Sequence, residues 1–486
     1  MKTYLFVYLG SVFVALVITP AVIWLARQLS IVDVPGTRHI HAKPISHIGG
    51  VAIFLSMMCP TIAVLFLSNV IGDAFRNILP QLIMLFCAAA FIFFVGLIDD
   101  IKIKGLQARI KFLAQLVAAM TVCAVGIRIK SVAVADWLTL DFGWFSWPLT
   151  LLWIVGITNA VNLSDGLDGL AAGISAVACG VIAIFAVYSG QVVMAVLMLA
   201  LLGSLTGFLF FNFNPAKIFM GDSGSMFLGF TIASSSVMCS TKSHALVGLA
   251  LPVLVLGIPI FDTLFSMLRR FLERRSMFAP DRSHFHHRLL DLGLKQRHAV
   301  IVIYAVTLLA AGLGMFMMVT RNTNSLIVFL CILLLLLLVF RVVGSVRLRE
   351  TIAGLREKYA VTRQIQEEVR SFESLQLLFR RVQTFEQWWQ ALCIAADKMD
   401  FMSIKLPLTG SDKTPRVLTW QRDGNEADPP ETVKMKIPIL GIKAGSRCSL
   451  EVDVNVNGSL ESVGRRTALF SRLLDEHNIA ALKDIV

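Results

Sequence analysis

The chain has 486 residues, 56% of them apolar, and a mean hydropathy of +0.74, which excludes an ordinary soluble protein. Its net charge of +12 does not point to nucleic acid, because residues 1–340 hold 22 Lys+Arg against 13 acids, placed between apolar runs. The eight cysteines are scattered with no C-x-x-C pair, which excludes a disulfide framework and a zinc knuckle.

A membrane span needs about 20 apolar residues, fewer where it is sheltered. On that measure eleven runs qualify, at 4–26, 48–70, 79–98, 112–129, 146–162, 170–188, 191–211, 225–240, 245–268, 299–319 and 324–343. The first has no small-residue cleavage site and is followed by further spans, so it reads as a retained helix. The predicted fold class is therefore a polytopic α-helical membrane protein of about 11 transmembrane helices. If the N-terminus lies outside, the inner loops carry 16 Lys+Arg and the outer segments 6. The positive-inside rule thus predicts an outer N-terminus and a cytoplasmic C-terminus.

The polar motifs all fall on that inner side. They are DVPGTRHIHAKP, GLIDDIKIKGLQARIKFLAQ, NLSDGLDG, NPAKIFMGDSGS and APDRSHFHHRLL, in chain order. A charge at the bilayer centre costs roughly 3 kcal/mol, so acids at span ends on one side only mark one site. Seven of the twelve aspartates before residue 341 lie in or beside these motifs: Asp99, Asp100, Asp165, Asp168, Asp222, Asp262 and Asp281. Short carboxylates beside glycine turns suit a hard cation that also takes phosphate oxygens. Each aspartate taken singly could instead cap a helix.

Asp99 and Asp100 are adjacent, so a helix points them about 100° apart and they serve different atoms. Asn159, Asn162, Asp165 and Asp168 recur every three residues, a spacing that eclipses on a 3₁₀ turn. Gly221-Asp222-Ser223-Gly224 offers backbone N–H groups and a carboxylate just before a span, which suits phosphate plus metal. His284, His286 and His287, among Arg282 and Arg288, read as an anion grip; a zinc site is the rival. His39, His41 and Lys43 have solvated surface as their alternative, and Lys111 a snorkelling anchor.

Together these motifs resemble the polyprenyl-phosphate N-acetylhexosamine-1-phosphate transferases, a superfamily of the glycosyltransferase family 4 type that includes the phospho-MurNAc-pentapeptide translocase. The resemblance covers roughly residues 1–345, with the motifs in family order. The ending HFHHRLL is similar to the branch making undecaprenyl-diphospho-N-acetylglucosamine. One departure is His39, where that branch usually has lysine.

The resemblance implies a Mg²⁺-dependent transfer (Mn²⁺ as an alternative ion) of N-acetylhexosamine-1-phosphate from a UDP-sugar to undecaprenyl phosphate, releasing UMP. It implies that Asp99 faces or deprotonates the lipid phosphate, as base or as covalent nucleophile, with Lys111, Arg38 and His41 binding that phosphate. Asp222 would hold the metal with Asp100 close by. Asn162, Asp165, Asp168 and Phe219 would line the uridine and metal side. Arg282, His284, His286 and His287 would hold the diphosphate or sugar. The expected partners are a UDP-N-acetylhexosamine, undecaprenyl phosphate and membrane lipid, with no nucleic acid and a homodimer as a possible assembly. Another UDP-N-acetylhexosamine, or UDP-MurNAc-pentapeptide, is the alternative donor. A secondary transporter is the rival from another class, disfavoured because the acids sit on one side only.

After Gly344 the character changes. Residues 345–398 read as an amphipathic helical linker, and 399–486 as a small cytoplasmic α+β module with strand-like runs MSIKLPL, RVLTWQ, TVKMKIPIL and CSLEVDVNV. No catalytic constellation appears there. Docking or oligomerisation is one reading, ligand sensing the other.

Overall fold

The computed structural model describes residues 2–33, 45–102, 105–135, 138–240, 251–274, 276, 284–320, 331–335, 337–339, 366, 369–409, 415–422, 431–440, 447–456 and 460–477. The chain divides into two units, Met1–Thr351 and Ile352–Val486.

The first unit is helical. Its helices are α1 (Lys2–Gln28), α2 (Gly50–Leu65), α3 (Val70–Asn77), α4 (Leu79–Ile101), α5 (Ala108–Ala124) and α6 (Ser146–Leu163). They continue as α7 (Leu170–Tyr188), α8 (Val192–Asn212), α9 (Gly221–Ser240), α10 (Gly257–Leu272), α11 (Phe285–Asp291) and α12 (Gln296–Thr320). Two antiparallel ribbons interrupt them, β1 (Val32–Asp33) with β2 (Ile45–Ser46) and β3 (Ser131–Ala135) with β4 (Leu138–Asp141).

Among the described residues six helices are long and apolar enough to cross a bilayer, or seven spans if α2 and α3 count as one. The chain is thus a polytopic, mostly helical membrane protein. The break in the second of the eleven runs has a physical cause. The run 48–70 breaks after Leu65, and α2 and α3 meet at 102°. Asn69 makes the break: its Oδ1 accepts from Ile71 N–H (3.1 Å) and Gly72 N–H (2.9 Å), starting a new helix there. The run 245–268 is helical over 251–255 and again in α10, and 324–343 is described only at 331–335 and 337–339.

The run 225–240 forms α9, which packs against α2, α4, α6 and α7. Its Phe227, Phe230 and Ile232 are buried, and so are Ser234, Ser235 and Ser236. A helix enclosed by other helices need not be apolar: Ser236 Oγ donates to the Ala233 carbonyl at 2.7 Å and accepts from Trp153 Nε1 of α6 at 2.9 Å. The close α1–α8 contact comes from Gly203 and Gly207 on α8. A Cβ at Gly203 would lie 2.3 Å from the Tyr8 carbonyl, and one at Gly207 2.7 Å from that of Val12. Small residues four apart let two backbones meet, which is how helices gain packing energy in lipid.

The second unit has its own core. Strands β5 (Phe401–Thr409), β6 (Pro415–Gln421), β7 (Thr432–Leu440) and β8 (Arg447–Asn455) form an antiparallel sheet in the order β6-β5-β8-β7. Alternation sends Ile404, Leu406, Leu450 and Val452 inward, buried with Trp388 and Leu392 of α13 (Phe385–Lys398) and Phe470 of α14 (Leu460–Glu476). Lys405 and Lys436 flank Glu451 in register on the opposite face.

Candidate active site

The site is assembled where α4 ends and α9 begins. α4 terminates in Asp99-Asp100-Ile101, and the two carboxylates diverge as adjacent helical residues must. Asp100 turns to α9: its Oδ1 accepts from Asp222 N–H (2.8 Å), and its Oδ2 from Ser223 N–H (3.0 Å) and Ser223 Oγ (2.5 Å). A carboxylate thereby satisfies the unpaired first-turn donors of a neighbouring helix and its positive dipole end. His47 Nε2 donates to the Asp100 carbonyl at 2.6 Å.

Asp99 faces the other way. Its Oδ1 accepts from Leu106 N–H, closing the turn into α5, and its Oδ2 lies 3.2 Å from Lys111 Nζ. The same ammonium lies 2.7 Å from Asp222 Oδ2. Asn162, near the end of α6, donates to Asp222 Oδ1 (3.0 Å) and to Ser225 Oγ (2.9 Å), fixing the plane of that carboxylate. One oxygen each of Asp99, Asp100 and Asp222 lie within 4.8 Å of one another. Three short carboxylates gathered this closely, two of them paired with the Lys111 ammonium, are a donor set that fits a hard divalent cation.

Backbone hydrogen bonds join the first inner segment to the start of α9. Phe219 N–H donates to the Ser46 carbonyl (2.7 Å), while Gly49 and Gly50 N–H donate to Phe219 and Met220 carbonyls (3.0 and 2.8 Å). Gly221 then turns the chain with φ +75°, and a Cβ there would stand 2.0 Å from the His47 carbonyl.

The period-three set does not become one face. α6 ends at Leu163, so Asn159 turns to Gln115 Oε1 (2.6 Å) while Asn162 reaches Asp222. Asp168 Oδ2 accepts from Asn214 Nδ2 (2.9 Å) and Ala216 N–H (3.1 Å), holding the loop that leads to α9. Burial, reinforced by the charges of Asp222, Asp100 and Asp168, pushes the Asp165 carboxyl up to about 8.

The histidine motif meets this turn. His284 and His286 are buried and stack in parallel, ring centroids 5.7 Å apart at 5°. His286 Nε2 reaches Gly166, where a Cβ would come within 2.4 Å of it. Burial, with His287 adding, holds the His286 imidazole down at about 3, so it is neutral at physiological pH. Arg38, His41 and Arg282 lie outside the described residues. Sequence reasoning gave no role to His47, Gln115 or Ser225. His47, two residues before Gly49-Gly50, carried the best signal of the three.

The family described as glycosyl transferase family 4 matches residues 82–240, which run through α4 to α9 and hold Asp99, Asp100, Lys111, Asn162 and Asp222. The "probable undecaprenyl-phosphate N-acetylglucosaminyl 1-phosphate transferase" of Bacillus subtilis is 41% identical over 301 residues, 62% of this chain and 80% of that protein. The chain belongs to glycosyl transferase family 4. Further relatives of this family 4 chain include the decaprenyl-phosphate N-acetylglucosaminephosphotransferase of Mycobacterium leprae, 36% identical over 58% of this chain and 75% of that one. The phospho-N-acetylmuramoyl-pentapeptide-transferase of Bacillus subtilis is 32% identical over 64% of this chain and 97% of that one.

Proposed function

We propose that the chain transfers N-acetylglucosamine-1-phosphate from UDP-N-acetylglucosamine to undecaprenyl phosphate, releasing UMP and starting a lipid-linked cell-envelope glycan. The observation that carries this reading is the convergence of Asp99, Lys111 and Asp222 at the ends of apolar helices, where a lipid phosphate and a water-soluble nucleotide can meet. The names of the relatives support the choice of acceptor and donor.

In the reaction an oxygen of the lipid phosphate bonds to the phosphorus carrying the sugar. The bond from that phosphorus to the bridging oxygen breaks, and UMP leaves with that oxygen. Phosphoryl transfer of this kind depends on positioning and charge neutralisation. Asp222, with Asp100 close by, would hold Mg²⁺, which when bound would supply charge neutralisation for the diphosphate. Asp99 faces the lipid phosphate, which is already anionic at pH 7 and needs little base assistance. Lys111 shares its charge between the two carboxylates and the incoming phosphates. Asn162 keeps Asp222 oriented, Asp168 holds the loop into α9, and the neutral His286 offers a ring nitrogen beside the Asp165–Gly166 turn.

The site and the second unit face the cytoplasm of the inner membrane, on the charge asymmetry of the loops. Residues 345–486 stand outside the chemistry, as a linker to 398 and an α+β appendage beyond it. The test is UMP release from purified protein given undecaprenyl phosphate, Mg²⁺ and, in separate arms, UDP-N-acetylglucosamine, another UDP-N-acetylhexosamine or UDP-MurNAc-pentapeptide. Release in the first arm is expected; release in another arm alone would reassign the donor.

A further inference from the structure

α10 carries one buried acid, Asp262, that the reaction above does not use. Its Oδ1 accepts from the Phe285 backbone N–H at 2.9 Å, and its Oδ2 from His284 Nδ1 at 3.1 Å. Asp262 and His284 are each 6% exposed, so water competes little for these bonds. Ser266 Oγ, at 3.4 Å from the same ring nitrogen, is the longer contact. One carboxylate therefore grips both the backbone and the ring at the start of the His284–His287 motif.

The grip is transmitted. The His284 ring lies parallel to that of His286, and His286 Nε2 occupies the space that a side chain at Gly166 would take. Gly166 follows Asp165 in the turn that leaves α6, four residues after Asn162, which orients Asp222. An unbroken series of contacts thus runs from α10 through two imidazoles to that turn.

We infer that Asp262 is a positioning residue of the nucleotide-sugar site, fixing the tautomer and rotation of His284 so that His286 is held against the Gly166 turn. Hydrogen-bond counting leads to this role. Asp262 receives two donors and has two acceptor oxygens. The Nδ1–H bond to Asp262 selects the tautomer in which Nε2 is the acceptor. The side chain of an Asp262→Asn variant would have one oxygen and one NH₂ group. The Phe285 N–H cannot change sides, so the amide oxygen stays with it and the NH₂ turns to His284 Nδ1. The imidazole proton then moves to Nε2, and that nitrogen changes from acceptor to donor.

This inference rests on the proposed transferase reaction for its kinetic arm but not for its spectroscopic one. Full-length protein labelled with ¹⁵N-histidine, with the His284 signal assigned by its loss in His284→Ala, should show Nδ1 protonated in the parent and Nε2 protonated in Asp262→Asn. In UMP-release assays Asp262→Asn should raise KM for the UDP-sugar by about tenfold to a hundredfold while kcat changes little, the pattern of lost ground-state binding. In a His284→Ala background the same substitution should have almost no further effect. A parent His284 protonated at Nε2 would overturn the inference, and so would an equal loss in both backgrounds, which would place the effect at the Phe285 backbone. If Asp262→Asn does not fold, the tautomer of the parent alone decides. If the parent releases no UMP from any UDP-sugar, the reaction falls and the tautomer still decides the role of Asp262.

Discussion

Gly221 is the position where a single methyl group should separate stability from activity. Its φ is +75°, and its Cβ would lie 2.0 Å from the His47 carbonyl and 2.6 Å from Asp100 Oδ2, where ordinary contacts begin at 3.4 Å. Gly221→Ala therefore has two costs. Left-handed backbone for an L-residue costs about 1–2 kcal/mol, which a helical bundle of this size can absorb. The clash requires the start of α9 to retreat by more than an ångström. Asp222 follows immediately, and its N–H bond to Asp100 is 2.8 Å long, so the carboxylate at the site moves with it. A misplacement of about 1 Å costs on the order of a hundredfold in rate. Gly190 is the matched control: its φ is +69°, and a Cβ there would meet nothing within 4 Å. The assay is UMP release in detergent beside a thermal melt for both variants. Gly190→Ala should melt slightly lower and turn over normally; Gly221→Ala should lose about two orders of magnitude. If Gly221→Ala keeps more than a third of parental turnover, or Gly190→Ala loses as much, the geometry assigned to the start of α9 is wrong.

Asp222→Asn keeps shape but removes the charge a cation needs, so turnover should fall by orders of magnitude and Mg²⁺-dependent UDP-sugar binding should weaken; Asp99→Asn should cut turnover comparably and leave nucleotide binding nearly intact. Calorimetric binding with the opposite pattern would exchange the two roles. Asp165, pushed up to about 8, holds its proton at pH 7, and a cation arriving near Asp222 favours its charged form. Mg²⁺ binding should therefore release a proton and tighten as pH rises from 6.5 to 8, read by calorimetry in buffers of different ionisation enthalpy; binding indifferent to pH would contradict this. In a cysteine-free background, labels at Arg76→Cys and Lys130→Cys should react from outside intact cells and those at Lys217→Cys and Arg288→Cys should not. Outside labelling of the second pair would break the single-sided site.

The sequence made the lipid-facing helices plain, because a surface against lipid tolerates few residue types. It was less informative for α9, whose Ser234-Ser235-Ser236 run is permitted only by the helices around it. The break at Asn69 was hidden because Phe66, Leu67 and Val70 keep the run apolar across it, although a capping asparagine before Asp73 was a usable sign. At the site, residue types were legible and partners were not. Asp222 finds Asn162 60 positions away, and Asp100 finds Ser223 123 positions away; local spacing carries no trace of either. The three-residue rhythm of Asn159, Asn162, Asp165 and Asp168 suggested one surface, and the end of α6 at Leu163 divided it.

The way Asp100 spends its oxygens has a consequence for anyone interpreting loss-of-function variants. Because all three bonds of its carboxylate go to the first turn of α9, a substitution there dislodges Asp222 and, through the shared backbone, re-aims Asp99. An inactive Asp100 variant would look like a missing metal ligand, a missing acceptor contact and a misfolded helix start all at once. Dead enzyme at this position therefore carries almost no diagnostic weight. Asp222, whose carboxylate takes its bonds from the side chains of Lys111 and Asn162, is the position where silence is more readily assigned a single cause.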